Sequence, residues 1–148
     1  MATYNSGVMI CAKNELKVGA TEESAVMPAD MNTMNVEFVT KEIAWNPHDT
    51  GGATRRFDVL TEINFTGSGM RNVGDEGNDF IADMAFMSGS DRLGFASAKM
   101  PDGKIVKLYD ADYEVTNVGT GNAIDGTPLE WKIKSNGRWD IIPAGATE

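Results

Sequence analysis

Few side chains in this sequence are of a type that does chemistry, and their spacing argues against most of it. His48 is the only histidine and Cys11 the only cysteine. A Ser/His or Cys/His nucleophile would have to use His48, which sits in a polar stretch with no motif around it. Cys11 lies among Met9, Ile10 and Ala12 and reads as a small buried hydrophobe. One thiol excludes an internal disulfide and a thiolate-rich metal site, and it fits synthesis in a reducing cytoplasm. Asp110, Asp112 and Glu114 alternate like a calcium run, yet no glycine marks the sharp turn and no later glutamate closes the loop. Asp58 and Glu62 are separated by about 13 Å along an extended strand, too far for a glycosidase pair. Gly119-Thr120-Gly121 with Gly126 lacks the following helix and the Lys-Ser/Thr of a phosphate-binding loop. The sequence therefore offers no catalytic residue, no cofactor-binding residue and no metal ligand, and a structural or binding role is expected.

Composition narrows the role further. The 148 residues are expected to form one domain, residues 1–148. Twenty-two acidic against thirteen basic side chains give a formal charge of −9 with no Lys/Arg cluster, so a protein that grips nucleic acid is not expected. No apolar run is long enough for a membrane span, and no basic region precedes the short apolar patch at residues 8–12, so neither a spanning segment nor a secretory signal is expected.

The elements follow from periodicity. Two long strand-like runs, 35–46 and 55–67, flank a polar, glycine-bearing loop at 46–54. In the second run Phe57, Val59, Thr61, Ile63 and Phe65 alternate with Arg56, Asp58, Leu60, Glu62, Asn64 and Thr66, which predicts one dry and one wet face with Leu60 as the single violation. In the first run Val36, Phe38, Val39, Ile43 and Trp45 put apolar groups on both faces, as in a strand covered twice or facing another subunit. Residues 8–12 and 15–18 are short strand candidates, and 19–34 reads as a loop or an arm. One helix is predicted over 75–88, capped by Asp75, striped by Phe80, Ile81, Met84 and Met87, and ended by Gly89. After it come strands at 93–100, 104–109, 113–118, 129–134 and 138–142. Pro101-Asp102-Gly103 and Asn136-Gly137 are predicted hairpin turns, and 143–148 reads as a frayed tail. The fold class is mainly β: a sandwich or partly rolled barrel of antiparallel strands with one flanking α-helix.

The order of these elements, with Gly74-Asp75-Glu76-Gly77-Asn78-Asp79-Phe80 opening the helix, Met100-Pro101-Asp102-Gly103-Lys104, Asp112-Tyr113-Glu114-Val115-Thr116 and the closing run from Leu129 to Trp139, resembles the tail tube (major tail) proteins of tailed bacteriophages over residues 35–139. The resemblance implies a non-enzymatic virion protein, assembled in the host cytoplasm into hexameric rings. Six sets of long strands would join edge to edge into an inner barrel, and the rings would stack. It implies a tape-measure protein and a tail terminator as partners, and double-stranded DNA that passes without specific binding. On this reading Asp58, Glu62 and Asn64 are lumen-lining candidates. Pro47, His48, Asp49, Arg55 and Arg56 are ring-stacking candidates, and Val36, Val39, Ile43 and Trp45 are subunit-interface candidates. Closing free strand edges into a barrel removes an aggregation hazard, and an acidic wall would repel phosphate. The competing reading is a β-sandwich that binds carbohydrate on a virion or cell surface, with Trp45, Trp131 and Trp139 as a stacking platform.

Overall fold

The computed structural model describes residues 14–121 and 126–144. Cys11, the strand candidate at 8–12, part of the glycine-rich connection before Pro128 and the last four residues of the tail lie outside the described residues. The elements are β1 (Glu15–Gly19), β2 (Met31–Trp45), β3 (Arg55–Met70), α1 (Glu76–Met84), β4 (Leu93–Lys99), β5 (Ile105–Val118), β6 (Pro128–Lys134) and β7 (Trp139–Ile142). The strands form one antiparallel sheet in the order β1-β4-β5-β6-β3-β2, with β7 also on β5, and the sheet does not close on itself. The fold is thus mainly β with one helix, as the sequence predicts.

The core lies on one face of this rolled sheet. Alternation puts Leu129, Trp131 and Ile133 of β6 inward with Ile63 and Phe65 of β3 and Tyr113 of β5, while Glu130, Lys132 and Lys134 point out. Helix α1 covers the core with Ile81, Ala82 and Met84. Asp75 caps it as expected, its carboxylate accepting from the Asn78 N–H at 3.0 Å. The helix ends at Met84 rather than near Ser88. Arg92 donates to the carbonyls of Ala85 and Met87, satisfying acceptors the helix end leaves open, and Met87 stands exposed instead of completing the apolar stripe.

Three further differences from the sequence reading have physical reasons. Strand β2 begins at Met31, inside the expected loop, because Met31 and Met34 pack on the core beside Val36. The expected strands 104–109 and 113–118 are one strand, β5, bent at Asp110, whose φ of 54° lets the chain turn without leaving the sheet. Asn136-Gly137 does not make a hairpin. Both β6 and β7 run antiparallel to β5, β6 along Asp112–Val118 and β7 along Ile105–Leu108, so they are two segments of one interrupted strand. The interruption is stitched in place: Ser135 Oγ accepts from the Ile63 N–H at 3.1 Å, and the Tyr109 N–H donates to the Arg138 carbonyl. The Pro101-Asp102-Gly103 turn forms as predicted, with Gly103 at φ 97°.

Candidate functional site

Where β6 is interrupted, β3 loses its partner on that side. From there outward β2 and β3 continue as a ribbon that no other described strand joins, paired from Val39 opposite Glu62 to Trp45 opposite Arg55. A hairpin with no third strand is marginal in water, so what covers its faces decides whether it holds its shape. The tip is compact: a single 3-10 turn at His48–Thr50 ends in Gly51 with φ 67°, and Thr50 Oγ1 donates to the carbonyls of Pro47 and Ala53.

The register shows how the ribbon's faces are assigned. Val39 faces Glu62 but Thr40 faces Leu60, so Thr61 is an extra residue in β3, a bulge whose Oγ1 donates to the Val39 carbonyl at 3.1 Å. Residues directly opposite in an antiparallel pair share a face. Beyond the bulge the alternation of β3 therefore inverts. Leu60, the violation in the sequence pattern, lies on the core side with Ile63 and Phe65 and packs against the core. Phe57 and Val59, expected on the dry face, lie on the opposite side with Val39, Ile43 and Trp45.

Little among the described residues covers that side. Phe57 is 65% exposed, Ile43 51%, Trp45 40% and Val59 42%, although the Trp45 and Phe57 rings pack on each other with centroids 5.2 Å apart. Lys41 and Arg55 flank the group on the same face. The other face is polar at this end: Glu42 stands opposite Asp58, and Arg56 reaches Glu42 at 3.6 Å.

The expected site residues thus separate. Asp58 and Glu62 stand on opposite faces of the ribbon. Asn64 is only 3% exposed, between Glu37 of β2 and Lys134 of β6, and its Oδ1 has no hydrogen-bond partner among the described residues. Pro47, His48 and Asp49 sit at the ribbon tip, with Arg55 and Arg56 just below it. Val36 packs against the core, whereas Ile43 and Trp45 are exposed. Phe57 and Val59 were missed, although Leu60 was the visible sign of the bulge that displaces them. Trp131 is buried, its indole N–H donating to Met31 Sδ at 3.4 Å, so the three tryptophans make no common platform.

The sheet face opposite the core carries charged rows. Glu37, Asn64, Lys134 and Asp112 stand side by side, next to Asn35, Thr66, Lys132 and Glu114. Lys134 reaches Glu114 at 3.2 Å and Asp112 at 4.0 Å. Among the described residues no group of three or more His, Cys, Asp or Glu could hold a metal ion, and no helix is long and apolar enough to cross a membrane.

A buried polar cluster holds the body of the chain together at the start of α1. Asp75 Oδ2 accepts from the N–H groups of Ala29 and Asn78, which holds its carboxyl below the usual range. Asn78, fully buried, donates to the carbonyls of Ala29 and Met70 and accepts from Arg71, which also pairs with Asp79 at 2.7 Å. Every polar atom named is satisfied, so this cluster positions the helix and offers no reactive group.

No protein-family model matches the chain, and no curated protein does. Several solved structures match the chain, and the three described next do so over nearly its whole length. The tail of an empty gene transfer agent (GTA) particle, determined with C6 symmetry, superposes with a TM-score of 0.68 at 16% identity, covering 95% of this chain and 100% of that one. A chain of the native GTA virion gives 0.65 at 16% identity with the same coverage. The tube-terminating cap of the anti-feeding prophage gives 0.54 at 12%, covering 97% of this chain and 95% of that one. The protein has the tail-tube fold of these phage-like particles.

Proposed function

We propose that the protein is a tail tube subunit: a structural component of a phage-like virion tail, without enzymatic activity, that assembles into stacked hexameric rings. The observation that carries this is the projecting ribbon with an uncovered apolar face, on a fold shared with tail tubes. A single copy leaves that face in water, and a second copy can cover it. C6 symmetry in the GTA tail supports six copies per ring.

The topology supplies a way to close the ring. Strand β4 pairs with β5 only from Ile105 to Asp112, so no described strand covers the outer edge of β5 beyond that point. No described strand covers the outer edge of β2 either. These two edges bound the four-stranded set β5-β6-β3-β2, in which direction alternates. The β2 edge of one copy can therefore join the β5 edge of the next in antiparallel order, repeating until the ring closes. The charged face opposite the core then lines the lumen. Glu62 and Asn64 lie on it with Glu37, Asp112, Glu114 and Glu130, against Lys132 and Lys134, while Asp58 lies off it. A wall of net negative charge lets DNA pass without the counterion release that makes basic surfaces sticky. A tape-measure protein and a tail terminator are the partners this role calls for.

Sedimentation across concentration, with and without a tail-tip complex as seed, tests the proposal. Wild type should form rings that stack into tubes, and the Phe57→Ser/Val59→Ser variant should stop at unstacked rings with unchanged circular dichroism. Wild type that stays monomeric even when seeded would overturn it.

A further inference from the structure

A contact that stacks one ring on the next is heterologous, so it needs two different patches on the same chain. The ribbon supplies one: Ile43, Trp45, Phe57 and Val59, flanked by Lys41 and Arg55. A second exposed apolar pair among the described residues follows α1: Phe86, just after the helix, is 80% exposed, with Met87 beside it. Its surroundings carry the opposite charge. Asp83 on the helix and Asp91 in the following turn are exposed, as is Glu76 in the first turn. Asp79 is taken by Arg71, and Arg92 is spent on the carbonyls of Ala85 and Met87. Among the described residues, Lys41, Arg55, Asp83 and Asp91 make no ion pair within the chain.

We propose that the ribbon of one copy docks on the α1 surface of a copy in the adjacent ring, Phe57 and Trp45 against Phe86 and Met87, and Lys41 and Arg55 against Asp83 and Asp91. This rests on the tube reading and specifies which surface the stacking ribbon meets. The two patches match in both respects that select a partner: each has an apolar centre, and their rims are basic and acidic. Aromatic and arginine side chains, which dominate the energetics of many interfaces, lie at the centre and edge of the ribbon patch.

Paired charge reversal tests this in full-length protein, scored by sedimentation and negative-stain microscopy. All four positions are exposed, and unchanged thermal unfolding of each variant would show that the fold survives. Lys41→Glu/Arg55→Glu and Asp83→Lys/Asp91→Lys should each form single rings and lose stacking. The chain carrying all four changes should stack again, an outcome that damage to the fold cannot mimic. Pair variants that stack like wild type would overturn the contact while leaving the tube reading intact, and so would a four-site chain that stacks no better than the pairs. Wild type that forms neither rings nor tubes would remove the tube reading itself.

Discussion

At the scale of single residues, the body of the protein depends on close approaches that tolerate little change. Gly67 lies opposite Trp131 in the sheet. A Cβ there would stand 2.6 Å from the indole Cζ2 and collide with the Thr33 carbonyl oxygen. Gly67→Ala should destabilise by about 2–3 kcal/mol, read as a lowered urea midpoint, because neither the indole nor the strand backbone can move away cheaply. Asp75 makes a prediction with a pH signature. Its two backbone N–H donors exist only in the folded chain, so its folded pKa lies below the ordinary 3.8. The stability it contributes is present above that value and is lost as pH falls through the folded pKa. Asp75→Ala should cost about 1 kcal/mol near neutral pH, and urea unfolding should show the gap to wild type narrowing in acid. Tyr113 is buried and donates its hydroxyl to the Phe95 carbonyl, and burial raises its pKa. Tyr113→Phe should cost about 1 kcal/mol through the orphaned carbonyl, with no dependence on pH below neutrality.

At the scale of elements, the bulge at Thr61 decides which side chains the ribbon presents. Its deletion would restore plain alternation and carry Phe57 and Val59 to the face that Leu60 occupies. The body should stay folded by circular dichroism while ring stacking is lost. The ribbon's contact should also be visible in fluorescence. Trp45 is the exposed tryptophan and Trp131 the buried one, so assembly should shift emission to the blue in wild type, and Trp45→Phe should abolish most of that shift. Much of this level was legible in the sequence. The alternation of Leu129, Trp131 and Ile133, the cap at Asp75 and the turn at Gly103 depend on near neighbours, and all three formed as read. Other features depend on partners distant in sequence. Asn136-Gly137 has the composition of a hairpin turn, but β5 binds both flanking strands in line and so overrides the local preference. Leu60 broke the pattern visibly, yet only the pairing with Thr40 shows that an extra residue, and not a stray leucine, is the cause. The ribbon residues Phe57 and Val59 looked like core for the same reason: apolar alternation reports a face to be covered, without saying by which copy.

At the scale of the whole molecule, the sheet is open, no described strand covers the outer edge of β2 or of β5 beyond Asp112, and its longest pair of strands extends beyond the core. Each of these would be a liability in a chain that stays alone; in the proposed tube the edges would be covered within a ring and the ribbon by the adjacent ring. The charged face opposite the core should then matter for passage and not for assembly. Reversing Glu62 and Glu114 to lysine should leave tubes intact and slow DNA release from assembled particles, with the defect greatest at low salt. The central claim is assembly, and electron microscopy of the purified wild-type chain, seeded by a tail-tip complex and imaged across concentration, tests it most directly. The account predicts hollow rings with six-fold symmetry that stack into tubes. A chain that remains a dispersed monomer at high concentration with the seed present would contradict it.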